Sequence, residues 1–463
     1  MNSQQTLIIQ NQNRAVKISR GGSASLVFFA LLHLPLSILM NSVSMVSTLH
    51  AVITLIAGAY ITVTTREPRK IAWVAGYITG AEILWRMTGA NVFWEFGKYA
   101  IIAVMLLGLF RVHRIHAAGW PIIYFALLAL SIPMTFLDLP FDEARQAVSF
   151  NLSGPLSLAI AVIFFSQVKL NWSDRENLIW YLISPILGIA TICVWGIATS
   201  ESLIFTDESN FATSGGFGPN QVSAVLGLGA LLMVLLAIQQ KETRKKWVPI
   251  ILALGLLALS MLTFSRGGLY NFGAALLVFG VFSLRSSRAR NSLALILFVG
   301  VLIGGFWVYP QLNEFTGGML QTRFSDTSTT GRTEIAQAEI ITWLDHPILG
   351  VGPGMGAYAS IESLGMKIAA HTEYTRILVE HGFPGIIAIL ILIIMVVKAV
   401  LKAPGGLPQA WTAALVVWSL VEMTHAAMRI AAIGFIFGLA ATQWTETKKD
   451  SNNGKTLPLA SRR

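Results

Sequence analysis

The sequence contains a single cysteine, Cys193, among 463 residues, and this cysteine lies within an apolar run. An intrachain disulfide and a metal cluster held by several thiolates are therefore excluded. Charge is also scarce, because charged residues make up 12% of the chain, whereas soluble domains have about a quarter. Hydrophobic residues make up 54%, and the mean hydropathy is +0.65. These values predict an integral membrane protein.

Acidic residues are fewer than basic ones, 23 against 33, which leaves a formal net charge of +10. The basic residues occur in short clusters between apolar segments, as they do in the cytoplasmic loops of membrane proteins. The excess charge therefore reflects membrane topology. Membrane lipid is the predicted surrounding partner, and nucleic acid is not a predicted partner.

Apolar runs of membrane-spanning length recur along the chain, and about 12 to 14 transmembrane helices are predicted. The predicted fold class is thus an all-α polytopic membrane protein with a large, partly helical periplasmic loop. The candidate runs lie near Ser25–Met40, Ser47–Val63, Ile71–Met87, Gly97–Phe110, Pro121–Leu137, Pro155–Val168, Leu178–Thr199, Val222–Ile238, Trp247–Phe264, Leu269–Leu284, Ser292–Tyr309, Gly382–Leu401, Trp411–Met423 and Ile430–Thr442.

Basic clusters fall at alternate connections between these runs, which predicts that both termini are cytoplasmic. Examples are the clusters at Arg66–Lys70, Lys241–Lys246 and Arg285–Arg290. No cleaved signal peptide is predicted. The predicted organisation is a cytoplasmic segment 1–22, a single transmembrane domain 23–445 that includes a periplasmic loop 310–375, and a disordered cytoplasmic tail 446–463.

The long outer loop has a pattern of its own. Residues Arg332–Leu344 are predicted to form a short amphipathic helix with Ile335, Ala338, Ile341 and Leu344 nearly aligned. The following "GVGPGMGAY" has four glycines, which allow tight turns and close approach to a ligand. A nucleotide site is not predicted, because no Lys-Ser/Thr pair follows the glycines.

A charged stretch, "HTEYTRILVEHGFPG", precedes the next long apolar run. Helical spacing places Glu373, Arg376 and Glu380 on one side. This stripe is predicted to be a solvated face with local ion pairs, on a helix that lies flat at the membrane surface. Pro384 and its neighbouring glycines predict a break before the membrane span.

Four residues of the outer side are candidates for chemistry. His371 lies at the N-terminal shoulder of the charged helix, where free backbone N–H groups favour a neutral imidazole, which is a base. Arg266 lies at the outer end of a span, and Arg323 and Arg332 belong to the same segment. Each alone is also consistent with a surface charge or with snorkelling to lipid headgroups. Together their guanidinium groups predict a diphosphate-binding site.

The stretches "EIITWLDHPILGVGPGMGAY" and "HTEYTRILVEHGFPG" resemble the signature region of the bacterial O-antigen ligase and polysaccharide polymerase superfamily. The segments "GFGPNQVSAVL" and "TFSRGG" resemble two earlier blocks of the same superfamily. The resemblance covers about residues 216–385. The order and spacing of the four segments make it specific.

The resemblance implies a glycosyltransferase, without metal or other cofactor, in the bacterial inner membrane. Its donor would be a glycan linked to undecaprenyl diphosphate on the outer face. By position, Arg266 and Arg332 match arginines that hold the diphosphate, and His371 matches the histidine that activates the acceptor hydroxyl. Thr372 stands where many relatives have Asn, so Glu373 and Tyr374 are expected to supply part of the polar environment. Direct displacement with inversion is predicted, since no carboxylate pair suits a covalent glycosyl intermediate.

Several alternatives remain open at this point. The acceptor is a lipid A-core sugar in a ligase and a second lipid-linked glycan in a polymerase. Asn220 either positions a substrate or caps the helix that starts there. A secondary transporter is the main alternative of another class, although the chain lacks paired broken helices with matching ionisable residues. Acidic residues of the outer loops are predicted to be solvated rather than catalytic, namely Asp138, Asp142, Glu143, Asp207 and Glu208.

Overall fold

The computed structural model describes residues 25–445, with gaps at 112–114, 116, 241, 285, 327–330, 359–360, 362–364, 366–369 and 426. The predicted N-terminal segment 1–22 and tail 446–463 lie outside the described residues, as do Lys241 and Arg285 of the basic clusters. Within the described ranges the regular secondary structure is helical apart from one pair of two-residue strands. The predicted all-α polytopic class is therefore confirmed.

The helices follow one another with short connections in most of the chain. They are α1 (Ser25–Ser42), α2 (Ser44–Thr64), α3 (Pro68–Met87), α4 (Phe96–Leu109), α5 (Gly119–Ala129), α6 (Ile132–Asp138), α7 (Phe141–Gln167), α8 (Trp172–Thr199), α9 (Pro219–Gln239), α10 (Thr243–Leu262), α11 (Gly267–Ser283), α12 (Ser287–Val299), a π-helix (Gly300–Val308), α13 (Tyr309–Phe315), α14 (Met319–Ser325), α15 (Arg332–Asp345), α16 (Glu373–Lys402), α17 (Leu407–Glu422) and α18 (Ala431–Leu439). The strands are β1 (Lys169–Leu170) and β2 (Gln443–Trp444).

Among the described residues, nine helical segments are long and apolar enough to cross a bilayer. They are α1, α2, α5 with α6, α7, α8, α9, α10, the segment from α12 through α13, and α16. The other five predicted runs coincide with α3, α4, α11, α17 and α18, all of which except α3 are shorter than 18 residues. Every predicted apolar run thus lies on a helix.

The centre of the bundle is α9, whose apolar window is 94% buried, against 22% for α1 and α2. It packs against α8, α10 and α11, and α11 packs in turn against α17. Gly227 of α9 faces the backbone of Gly268 in α11 so closely that a side chain has no room there. Small residues allow such close contact where hydrophobic burial does not drive association in lipid. The ends of α9, α11 and α17 are thereby brought together.

The connections divide between two ends of the bundle. We call one the site end, and it is formed by residues 88–95, 199–218, 263–266 and 423–430. Its loops contact one another, for example through the hydrogen bond from Asn210 N to Thr263 O, at 2.9 Å. At the opposite end, β1 and β2 form a parallel pair that joins the end of α7 to the end of α18. Described members of the basic clusters, such as Arg69 and Lys169, lie at this opposite end.

The long helix α16 is kinked, as the sequence predicted. Gly382 has non-helical angles, φ 58° and ψ −138°, a backbone conformation that glycine tolerates without strain. Pro384 contributes no backbone N–H, so the kink removes regular partners from carbonyls of the preceding turn. Such freed groups need other partners when they are buried.

A glycine-rich loop supplies those partners. The N–H groups of Val351 and Gly352 donate to the carbonyls of Val379 and Glu380, at 2.9 and 3.0 Å. The φ of Gly352 is +97°, in the region that favours glycine. The expected approach of the glycines to a ligand is therefore wrong for this part of the loop, which approaches the helix backbone instead.

Candidate functional site

His371 lies immediately before α16, at the predicted N-terminal shoulder. Thr372 is the N-cap, and its hydroxyl accepts a hydrogen bond from the backbone N–H of Thr375 at 3.1 Å. Threonine and asparagine side chains can both cap a helix in this way, so Thr372 supplies here the capping contact that an asparagine could also make. The neutral form of His371 is favoured, since burial, followed by the charges of Arg332 and Arg429, lowers its pKa to about 4.

Three arginines lie close enough to lower one another's pKa, and one of them, Arg332, also acts on His371. We call Arg266, Arg323 and Arg332 the cationic cluster. Burial lowers the pKa of Arg332, and the nearby charges of Arg266 and Arg323 lower it further. Burial also lowers the pKa of Arg323, with a further contribution from Arg266. Arg323 is 6% exposed, whereas Arg266 and Arg332 are half-buried. The structure thus brings together the arginines singled out in the sequence.

Arg266 is placed by the turn between α10 and α11. Phe264 in this turn has φ 58°, which is unusual for a residue with a side chain. Its carbonyl accepts a hydrogen bond from Nε of Arg323 at 3.0 Å. Arg266 donates to the backbone carbonyl of Asp326. Arg323 therefore stabilises the turn that positions Arg266.

Asn220 connects this turn to the histidine. Its Oδ1 accepts a hydrogen bond from the Ser265 hydroxyl at 2.7 Å. The capping alternative for Asn220 is wrong, because the N-cap of α9 is Gly218 and no side chain caps that end. Asn220 and His371 line the same cavity, of about 240 Å³.

The charged residues at the start of α16 are buried, and the predicted solvated face is therefore wrong. We call Glu373, Arg376 and Glu380 the paired cluster, and their exposed fractions are 0%, 3% and 2%. The predicted ion pairs are present, because Arg376 donates to both carboxylates. Helices α5 and α15 pack against α16 and help to cover this end of it. The expected helix flat on the membrane surface is wrong for the same reason.

Glu373 and Tyr374, the expected supports of the histidine, hold neighbouring backbone. Oε2 of Glu373 accepts a hydrogen bond from Met428 N at 3.1 Å. The Tyr374 hydroxyl donates to the carbonyl of Leu420 at 3.0 Å. Both residues thus fasten α16 to α17 and to the loop 423–430.

The loop 423–430 contributes site residues that sequence reasoning missed. Arg429 lines the His371 cavity, and its Nη2 donates to the carbonyl of Ala370 at 2.6 Å. His425 of the loop and Glu422, the last residue of α17, line the same cavity, with Nε2 of His425 3.3 Å from Oε2 of Glu422. The sequence could have indicated these residues, because ionisable residues between two closely spaced apolar runs are candidates for a functional site.

The predicted outer helix is confirmed, since α15 spans Arg332–Asp345. Its predicted apolar face is only partly correct. Ile335 and Ala338 are buried, but Ile341 and Leu344 are 60% and 63% exposed. The buried side instead includes Glu339, whose carboxylate accepts a hydrogen bond from Thr375, and burial raises the pKa of Glu339 to about 7.

The acidic loop residues are solvated, as predicted. All five are exposed, namely Asp138, Asp142, Glu143, Asp207 and Glu208.

The helices define an all-α polytopic membrane protein with a cationic cluster and a neutral histidine at one end. Residues 250–390 match the family model described as O-Antigen ligase, and this match confirms, for that part of the chain, the resemblance to the O-antigen ligase superfamily. Members of this family are glycosyltransferase-like enzymes. The matched range includes the cationic cluster and His371, whereas Asn220 and Arg429 lie outside it. A search of curated proteins found no match to the chain.

Proposed function

We propose that the protein is an O-antigen ligase-type glycosyltransferase that moves a glycan from undecaprenyl diphosphate to a sugar hydroxyl. The reaction would take place at the outer, periplasmic face of the inner membrane, where the site end would lie. One observation carries the proposal. His371, which burial and nearby positive charge keep neutral, lies within electrostatic range of Arg332, and Arg332 lies within range of Arg266 and Arg323.

The cationic cluster suits a diphosphate. Arginines that lower one another's pKa gain stabilisation when an anion binds between them. In this proposal Arg266 and Arg332, which are half-buried, contact the diphosphate oxygens. Arg323 holds the turn of Arg266 and adds its charge. Fixed guanidinium groups then stabilise the charge that grows on the leaving group, so the reaction needs no metal ion.

His371 would act as the base. The acceptor hydroxyl gives its proton to the imidazole while the acceptor oxygen bonds to C1 of the donor sugar. The bond from C1 to the diphosphate oxygen breaks at the same time, and undecaprenyl diphosphate leaves with the electron pair. Attack from the face opposite the leaving group inverts the configuration at C1.

The low pKa of His371 is coupled to the donor in this scheme. Burial is the main cause of the pKa of about 4, and positive charge from Arg332 and Arg429 lowers the pKa further, so the imidazole of the free enzyme is a weak base. A bound diphosphate would neutralise much of that charge and raise the pKa of His371. The imidazole would therefore become a stronger base only when the donor is in place.

The acceptor distinguishes the proposal from its alternative. A ligase uses a lipid A-core sugar, and a polymerase of the same superfamily uses a second lipid-linked glycan. The mechanism at His371 is the same for both.

Purified protein in nanodiscs, supplied with undecaprenyl-diphosphate glycan, tests the proposal. One reaction contains lipid A-core as acceptor, and the other contains donor alone. We expect a single transfer product with lipid A-core, and a loss of rate by about 10²- to 10⁴-fold in His371→Ala with donor binding retained. His346→Ala is the matched control, because His346 is exposed and directly follows α15 as its C-cap.

A ladder of products from donor alone would instead establish the polymerase. If His371→Ala transferred the glycan at an unchanged rate, His371 would not be the base. Absence of transfer in both reactions, despite bound donor, would contradict the enzymatic proposal itself.

A further inference from the structure

We propose that a second cavity at the site end, of about 1060 Å³, binds the acceptor saccharide and presents its hydroxyl to His371. This inference rests on the proposed function and adds a binding site to it. The cavity is much larger than the His371 cavity of about 240 Å³. A volume of this order accommodates a ligand of several sugar rings.

The two cavities share a wall. Ala427 and Arg429 line both of them, and the wall belongs to the loop 423–430. Arg429 is fixed from two directions, because its Nη2 donates to the Ala370 carbonyl and its own carbonyl accepts from Arg86 at 3.1 Å. A ligand that fills the larger cavity therefore ends next to the cavity of His371.

Two aromatic rings stand at the edge of the larger cavity. Phe93 is 56% exposed and Trp94 is 44% exposed, and both line it. The guanidinium of Arg86 lies over the Trp94 ring at 4.6 Å, and its Nη2 donates to the Trp94 carbonyl at 2.9 Å. Trp94 is thus held in place while part of its surface stays accessible. Exposed, rigid aromatic surface with polar neighbours is typical of a binding site, and the C–H faces of sugars stack on such rings.

Polar groups surround these rings without a large excess of either charge. Three carboxylates and three guanidiniums line the cavity, from Glu95, Glu143, Glu380, Arg145, Arg376 and Arg429. This balance differs from the cationic cluster, and it favours a neutral ligand with many hydroxyl groups over a second diphosphate. Gln146 and Asn151 add amide groups that both donate and accept hydrogen bonds.

The position of the cavity favours a saccharide over a polyprenyl chain. Its lining comes from residues 93–99, from the first half of α7, from residues 354–358, from the start of α16 and from the loop 423–430. Two of these segments, the connection before α4 and the loop 423–430, belong to the site end, and three carboxylates and three guanidiniums line the cavity. A polyprenyl tail would instead need an apolar opening between helices at the depth of the lipid chains.

Direct binding tests the inference separately from catalysis. The probes are core oligosaccharide freed of its acyl chains, the glycan released from the donor lipid, and undecaprenyl monophosphate. We expect wild-type protein in nanodiscs to bind one of the two free saccharides, and Trp94→Ala to bind it about tenfold more weakly. Undecaprenyl monophosphate should bind both proteins equally. Trp307→Ala is the matched control, since Trp307 is 67% exposed and lies on the π-helix.

A second variant tests the cavity independently, in case Trp94→Ala disturbs folding. Ala357 lines the cavity, and Ala357→Trp would fill part of it. We expect this variant to raise the KM for the acceptor with little change in the KM for the donor. Unchanged acceptor KM in both variants, measured on proteins that elute as monodisperse species, would overturn the inference.

The remaining outcomes separate this inference from the proposed function. If wild-type protein transfers glycan through His371 but binds neither free saccharide, the cavity proposal fails and the proposed function stands. If Trp94→Ala weakens undecaprenyl monophosphate instead, the cavity holds the lipid and the inference is wrong. Saccharide binding that depends on Trp94 without any transfer would support the cavity and contradict the proposed function.

Discussion

The cationic cluster and the paired cluster contain the same kind of residue in opposite electrostatic situations. Arg376 donates to Glu373 and to Glu380 within one helix, and all three side chains are buried. Arg266 and Arg332 come from different segments, and their charges act on each other and on Arg323.

The difference between the clusters indicates which of them an anionic ligand would stabilise. Two carboxylates satisfy Arg376, so the paired cluster is complete without a ligand and contributes to structure. The cationic cluster concentrates positive charge beside a neutral histidine, so a bound anion would stabilise it. Arg323 of the cationic cluster has one carboxylate nearby, that of Asp326 at 4.0 Å, whereas Arg376 has two within its own helix.

The largest expected effect comes from breaking the paired cluster. Arg376→Met leaves two buried carboxylates without their cation, and we expect the free energy of unfolding to fall by about 3–5 kcal/mol. Denaturant unfolding in detergent measures this loss. The triple variant with Glu373→Gln, Arg376→Met and Glu380→Gln should recover much of the stability, because it removes the charges together. A single variant as stable as wild type would show that the pairs contribute little.

The next effect comes from the cationic cluster. In Arg332→Gln we expect the transfer rate to fall by about 10²- to 10³-fold, since one fixed charge near the leaving group is lost. The unfolding free energy should change little, in contrast to Arg376→Met. Arg244→Gln, an exposed arginine at the opposite end, is the control. Equal losses of stability in Arg332→Gln and Arg376→Met would erase the distinction between the two clusters.

The smallest effect is a change in pH dependence. His371 must be neutral to act as a base, so activity should fall as the pH drops through its pKa of about 4 in the free enzyme. Arg332→Gln removes a positive charge and should move this acid limb to higher pH. Because donor binding is expected to raise the same pKa, the acid limb of kcat should lie above that of kcat/KM for the donor. If the acid limbs of kcat and of kcat/KM coincided near the ordinary pKa of histidine, donor binding would not be coupled to the pKa of His371.

Much of the fold was predictable because apolar length is a strong signal. Each predicted run lies on a helix, and the kink at Gly382 followed from Pro384 and its glycine neighbours. The outer helix α15 begins at Arg332, as predicted. These features depend on local sequence, so no long-range contact was needed to predict them.

The errors concern features that depend on tertiary packing. The buried state of Arg376 depends on helices that are distant in sequence, and its charge alone favoured a solvated surface. Arg429 was missed because it lies 58 positions from His371, between two runs with strong apolar signals. The glycines of 350–352 were expected near a ligand, since the sequence does not show that the partner of that loop is the helix α16. The roles of Arg266, Arg332 and His371 remain predictions.

Because α16 is kinked, the position of the site does not depend on the thickness of the bilayer. The 20 residues from Phe383 to Lys402 rise about 30 Å at 1.5 Å each, which matches the hydrocarbon core of a bilayer. The segment before Gly382 is therefore not needed for crossing and is anchored to protein on several sides. In a thinner or thicker bilayer, the part after the kink can change its tilt while His371 keeps its position relative to the arginines.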